Sequence, residues 1–118
     1  MHDFPEHARD ELFRLRADYL AALCGKLEEL EAIARSASDG ITDSEIRTAL
    51  KRLEVLSHKL AGSSGTFGLD ALSRGAIALE SACGALVDAG AQFLPEKIAH
   101  IRRLTMALRL STDCDRKT

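Results

Sequence analysis

Histidines and cysteines are the side chains of this chain best able to act as nucleophiles or metal ligands, and their spacing limits what they can do. His2, His7, His58 and His100 show no His-x-x-x-His or similar ligand spacing, so no zinc site is expected. Cys24, Cys83 and Cys114 form neither a metal-type pair nor an even disulfide set, and are read as reduced thiols of a cytosolic protein. Gly62, Gly65 and Gly68 invite comparison with a phosphate-binding loop. They lack the Gly-Lys-Ser/Thr ending and follow a helical stretch rather than a strand, so that reading is rejected. There is no dinucleotide fingerprint and no nucleophile elbow. Nothing here would bind ATP. What remains is His58. A neutral imidazole is a competent nucleophile near neutral pH, so the chemistry open to it is covalent transfer through a ring nitrogen.

Its position on a helix decides whether that chemistry is accessible. At about 100° per residue, Ile46, Leu50, Leu53, Ser57, Leu60 and Ser64 fall within about 40° of one direction, with Leu56 and Phe67 widening the stripe. His58 falls roughly 120° from Ile46, on a face shared with Lys51, Glu54, Gly62 and Gly65. A core histidine is therefore disfavoured, and the competing reading is an incidental surface one. Gly62 argues against the incidental reading. A glycine inside a helix costs about 1 kcal/mol relative to alanine. This one stands four residues after His58 on the same face, where it clears space one turn from the imidazole. Close helix packing is the alternative use of such a glycine, but Gly62 points away from the apolar stripe.

The elements that must position these residues all read as helices, with no strand-like alternation and no internal repeat. The first helical region runs from about Pro5 to Ala37, with an apolar stripe of Leu12, Leu15, Tyr19, Leu23, Leu30 and Ile33. Phe13, Leu20, Cys24 and Leu27 form a second apolar row, which allows a short extra N-terminal helix joined to a long one. The second helix is expected to start at Thr42 or Asp43, either of which can cap it, and to end near Phe67 before Gly68. The third runs from Asp70, as N-cap, to about Ala89, stopped by Gly90. The fourth starts at Pro95 and carries Ile98, Ile101, Leu104 and Leu108. The tail 111–118 is polar and is expected to fray. Short connections between long helices imply an all-α, antiparallel up-down four-helix bundle, with residues 1–118 as a single domain.

The run His58-Lys59-Leu60-Ala61-Gly62-Ser63-Ser64-Gly65-Thr66-Phe67-Gly68 resembles the signature of histidine phosphotransfer (HPt) domains. In that family His-x-x-x-Gly-(Ser/Ala) lies mid-helix, and a second glycine ends the helix some ten residues on. Leu69, Leu72 and Leu79-Glu80 also resemble the family's next helix. The close match covers about residues 53–83, and the helix lengths agree over roughly 8–110. The resemblance implies a four-helix bundle that accepts a phosphoryl group on His58 from a receiver domain's aspartyl phosphate and passes it to another receiver. The receiver would supply the Mg²⁺; this chain would hold no cofactor and would be a carrier rather than an enzyme. Many members carry a lysine three residues after the histidine, on the same face, where this chain has Ala61. Charge support would then come from Lys59, about 100° round the helix, from Arg74, or from the partner. Glu80 stands where family members often have a Gln or Glu able to contact the histidine. Accepting a hydrogen bond from one ring N–H, it would fix the tautomer and leave the other nitrogen to attack phosphorus. A solvated surface glutamate is the alternative.

Composition agrees with a soluble bundle. The chain has 46% hydrophobic and 29% charged residues, but only 4% aromatics and no Trp, so its core must be aliphatic. The formal charge of -2, without any Lys/Arg block longer than two residues, argues against nucleic acid as a partner. Residues 75–95 hold only Glu80 and Asp88 as charges and are read as a buried bundle helix rather than a membrane span. The first fifteen residues are charged and carry no signal-peptide core. The expectation is a cytoplasmic monomer that works with response-regulator receivers or a hybrid histidine kinase. The competing reading is a helical module that docks on receivers or kinases without carrying phosphate.

Overall fold

The computed structural model describes residues 6–40, 42–89 and 93–112. Among these the chain forms four helices: α1 (Glu6–Ser38), α2 (Asp43–Thr66), α3 (Asp70–Asp88) and α4 (Pro95–Leu110). The all-α class expected from the apolar periodicity is what the chain adopts. Neighbouring helices run antiparallel. Tyr19 of α1 meets Ser63 of α2, while Glu29 lies against Arg52 further along both. Arg47 of α2 reaches the Val87 carbonyl at the far end of α3, while Ser73 near its start bonds to Ala61.

Local chemistry sets the helix ends. Thr42 caps α2 through a reciprocal box: its hydroxyl accepts from the Glu45 N–H at 3.1 Å, and the Glu45 carboxylate accepts from the Thr42 N–H at 3.1 Å. At the other end Gly68 takes φ +77°, the left-handed region where a Cβ is costly. That turn lets Leu69 N–H donate to Ser64 O at 2.8 Å and Gly68 N–H to Gly65 O at 3.1 Å, the paired bonds of a Schellman stop. The chain then enters α3 at once. Leu69, not Asp70, therefore takes the N-cap position, and it makes no side-chain cap bond; Asp70 is the first helical residue. There its charge still complements the helix dipole. Pro95 opens α4 as expected. Gly90 and the tail from 113 onward lie outside the described residues.

The core is aliphatic. Leu27, Leu30, Leu50, Leu53, Leu60, Leu79, Ile101 and Leu108 are buried together, with Cys83 and small alanines between them. Ser57 and Ser64 also lie on the buried stripe of α2. Each satisfies its hydroxyl by donating to the carbonyl four residues back, Leu53 and Leu60 respectively, at 2.6 Å.

The first helix departs from expectation in two ways. Among the described residues it is one unbroken 33-residue helix, not a short helix joined to a long one. Its apolar stripe is also only partly covered. Arg16 already donates to the Phe67 carbonyl at the end of α2, so residues before it run past the bundle. Leu12, Phe13 and Leu15 are consequently exposed, whereas Leu23, Leu27, Leu30 and Ile33 are buried. Among the described residues no helix is long and apolar enough to cross a membrane.

Candidate functional site

His58 stands in the latter half of α2, and its side chain is 75% exposed. The stripe that includes Leu53, Ser57 and Leu60 turns into the core, and this rotation puts His58 on the open side, beside the seam with α3. Its Nδ1 lies 2.9 Å from the Glu80 Oε2 of α3. Glu80 is less exposed, at 29%, because it rises from the seam itself. A carboxylate can only accept, so in a neutral ring Nδ1 carries the proton and donates it to Glu80. The Nε2 lone pair is then the one free to attack. Of the two readings of Glu80, the structure brings out the contact rather than a solvated glutamate.

Gly62 is exposed one turn beyond His58. A Cβ built on it would meet nothing within 4 Å, so no neighbouring helix requires a glycine there. Val55, one turn before His58, and Ile77 of α3 are exposed apolar side chains on either side of the seam. The site is thus an open imidazole with one nitrogen engaged, a bare stretch of helix next to it, and apolar flanks.

The basic residues expected to assist are not gathered at this point. Lys59 turns to the other side of α2, where it lines the α1–α2 groove with Lys26, Glu29 and Ser63. Neither Lys51 nor Arg74 forms an ion pair with the site; among the described residues His58 and Glu80 pair with each other. Ala61, where a lysine on the histidine's face was the family's pattern, is in fact 9% exposed and faces α3. Its carbonyl accepts from the Ser73 hydroxyl at 2.9 Å, which ties the two helices together just below the histidine.

Two further residues shape the seam. Glu54 lies one turn before His58, and Gly84 one turn after Glu80. A Cβ on Gly84 would stand 2.9 Å from Glu54 Oε2, so the missing side chain provides the seat for that carboxylate. The sequence carries a signal for this, a helix-interior glycine four residues after Glu80, in the same relation as Gly62 to His58. Glu54 also bears on Cys83, whose thiol is pushed up to about 12, first by burial and second by the glutamate's charge. Cys83 is therefore a packed, protonated thiol and not a reactive one. Cys24 is disulfide-bonded, against the expectation of a reduced thiol; Cys114 lies outside the described residues. Among the described residues no group of three or more His, Cys, Asp or Glu side chains could hold a metal ion.

His58 thus stands exposed at the α2–α3 seam, with one ring nitrogen held by an acid from the next helix. The family model of the Hpt domain matches residues 14–112, and the chain belongs to that family, the histidine phosphotransfer domains. Searches of curated proteins and of solved structures returned no significant match.

Proposed function

We propose that this chain is a phosphorelay carrier in which His58 takes a phosphoryl group from the aspartyl phosphate of one receiver domain and passes it to the aspartate of another. The observation that carries the reading is the engagement of His58 Nδ1 by Glu80 at 2.9 Å on a ring that is otherwise open to solvent. Phosphoryl transfer is mostly positioning and charge stabilisation. Glu80 fixes the tautomer and holds the ring against rotation, so that Nε2 faces outward. Gly62 leaves the approach clear, and Val55 and Ile77 offer apolar contact to the receiver's surface. The Mg²⁺ and the cationic side chain that neutralise the phosphoryl oxygens come from the receiver. Support from a lysine at position 61 is lacking, and Lys59 faces the α1–α2 groove, so Lys59 is a weaker candidate for this role than the partner. The chain has no ATP-binding motif and acts as a carrier domain rather than an enzyme, in the cytoplasm, as a monomer.

The test is incubation with a phosphorylated receiver and Mg²⁺, followed by mass spectrometry for an acid-labile phosphate on His58. Label on His58 that a second receiver removes supports the carrier. Binding to the receiver without any label would mean a docking module instead, the reading that Ala61 favours.

A further inference from the structure

The cysteines form a covalent site that stands apart from the histidine and does not rest on the carrier reading. The chain has three of them. Cys24 of α1 is disulfide-bonded. Cys83 is a free thiol, wholly buried on α3. Within one chain the count leaves Cys114 as the partner. The end of α4 points to the same pairing. Arg109 pairs with Glu31 and so lays the last turn of α4 against α1. The Thr112 hydroxyl caps that turn by donating to the Arg109 carbonyl at 2.9 Å. Ser111 and Thr112 line a groove of about 460 Å³ together with Leu20 and Cys24 of α1 and Leu69 and Leu72 at the start of α3. Thr112 is the last of the described residues, and Cys114 follows two positions later. Two residues of chain span at most about 7 Å, so position 114 is held close to the groove that Cys24 lines.

We propose that Cys24 and Cys114 form a reversible disulfide that lays residues 113–118 over this groove and straps the end of α4 to α1. The groove suits that occupant. Its leucines would shelter the sulfurs, the least polar atoms that the tail Asp-Cys-Asp-Arg-Lys-Thr can offer. The bond forms by exchange with a small-molecule disulfide such as oxidised glutathione. The thiolate of one cysteine attacks a sulfur of that disulfide; a new S–S bond forms, and the old one breaks with its electron pair on the departing thiolate. The thiolate of the second cysteine then attacks the mixed bond and expels the other half. The two protein thiols give up two electrons and two protons, and both halves of the oxidant leave as thiols. In a reducing compartment the strap is therefore open, and it closes as the thiol pool is oxidised. The closed loop runs from Cys24 to Cys114 and takes in most of the bundle. Cross-linking so long a loop removes much of the unfolded chain's freedom and stabilises the folded state.

Trypsin places the three cysteines on separate peptides, 17–26, 75–97 and 110–116. The purified chain is treated with oxidised glutathione, its free thiols are blocked with N-ethylmaleimide, and the non-reduced digest is read by mass spectrometry. The expected product is peptide 17–26 cross-linked to 110–116, from a monomer, and resolved by dithiothreitol. The thermal midpoint of the oxidised protein should exceed that of the reduced protein by about 10 °C. Cys114→Ser should remove both the cross-link and the response of the midpoint to dithiothreitol, and Cys24→Ser should do the same. A cross-link of 17–26 to 75–97, or a disulfide-linked dimer, overturns the pairing. So does recovery of Cys24 and Cys114 only as blocked thiols or as mixed disulfides with glutathione. A cross-link that forms without any rise in the midpoint overturns the strap, because the bond would then close without bracing α4 against α1.

Discussion

Two glycines, each four residues after a residue of the site, stand in the same sequence relation and do opposite things. Gly62 follows His58 on α2, and a side chain there would meet open space. Gly84 follows Glu80 on α3, is buried, and its missing side chain is replaced by the Glu54 carboxylate from the facing helix. The cost of a glycine inside a helix is similar in both places. On α2 the vacancy faces solvent and is available to something outside the chain. On α3 it is filled from within and lets two helices approach with an acid between them. A helix-interior glycine beside a reactive residue therefore signals that room is needed, without saying for what.

The contrast is tested most directly at the histidine. His58→Gln should abolish phosphate uptake, while stability changes by no more than about 0.5 kcal/mol because the side chain is exposed. Mass spectrometry for phosphate, with a thermal melt alongside, checks both; normal labelling would mean another residue is the carrier. Next in size is Gly62→Gln. Glutamine is the better helix former, so the melting midpoint should hold or rise. Its side chain projects one turn from His58, and transfer from a receiver should slow by about tenfold or more as the approach is misaligned. A stable variant with normal transfer would remove Gly62 from the site, whereas loss of stability would mean a packing role that the open space around it argues against.

At Gly84 the expectation reverses. Gly84→Leu should cost about 1–3 kcal/mol by overfilling the α2–α3 seam. Gly84→Ala displaces only the end of the flexible Glu54 side chain, and the gain in helix propensity should offset much of that cost. Urea unfolding of the two variants measures the difference, and equal stabilities would show that the seam is looser than its contacts imply. The smallest effect belongs to Glu80→Gln, which should change stability by under about 1 kcal/mol because the pair is substantially exposed. A larger loss would make the His58–Glu80 contact a structural bond rather than a feature of the chemistry.

Much of the scaffold can be read from the chain alone. The turn-by-turn spacing of Leu50, Leu53, Ser57, Leu60 and Ser64 sets which way α2 faces. That places His58 and Gly62 outside, because residues of one helix are locked to one another at about 100° per step. Thr42, Gly68 and Pro95 mark ends by local backbone chemistry, which needs no neighbour. Asp70 misled because the Schellman turn hands the cap position to Leu69 before the aspartate is reached.

What the wheel cannot supply is the rotation and register of one helix against the next. Whether Glu80 touches His58, 22 residues away, depends on how far α3 has slid along α2. The Ser73–Ala61 bond and the Glu54 seat on Gly84 set that slide from either side of the histidine. The same rotation buries Ala61 and turns Lys59 toward α1, which removes both from the histidine's open face. The exposure of Leu12 and Leu15 is likewise a matter of length, since α1 outruns the helices that cover its stripe further along. Angular position within a helix is a property of the local chain. Contact between helices is decided by the packing of the whole bundle, where a shift of one turn exchanges every partner.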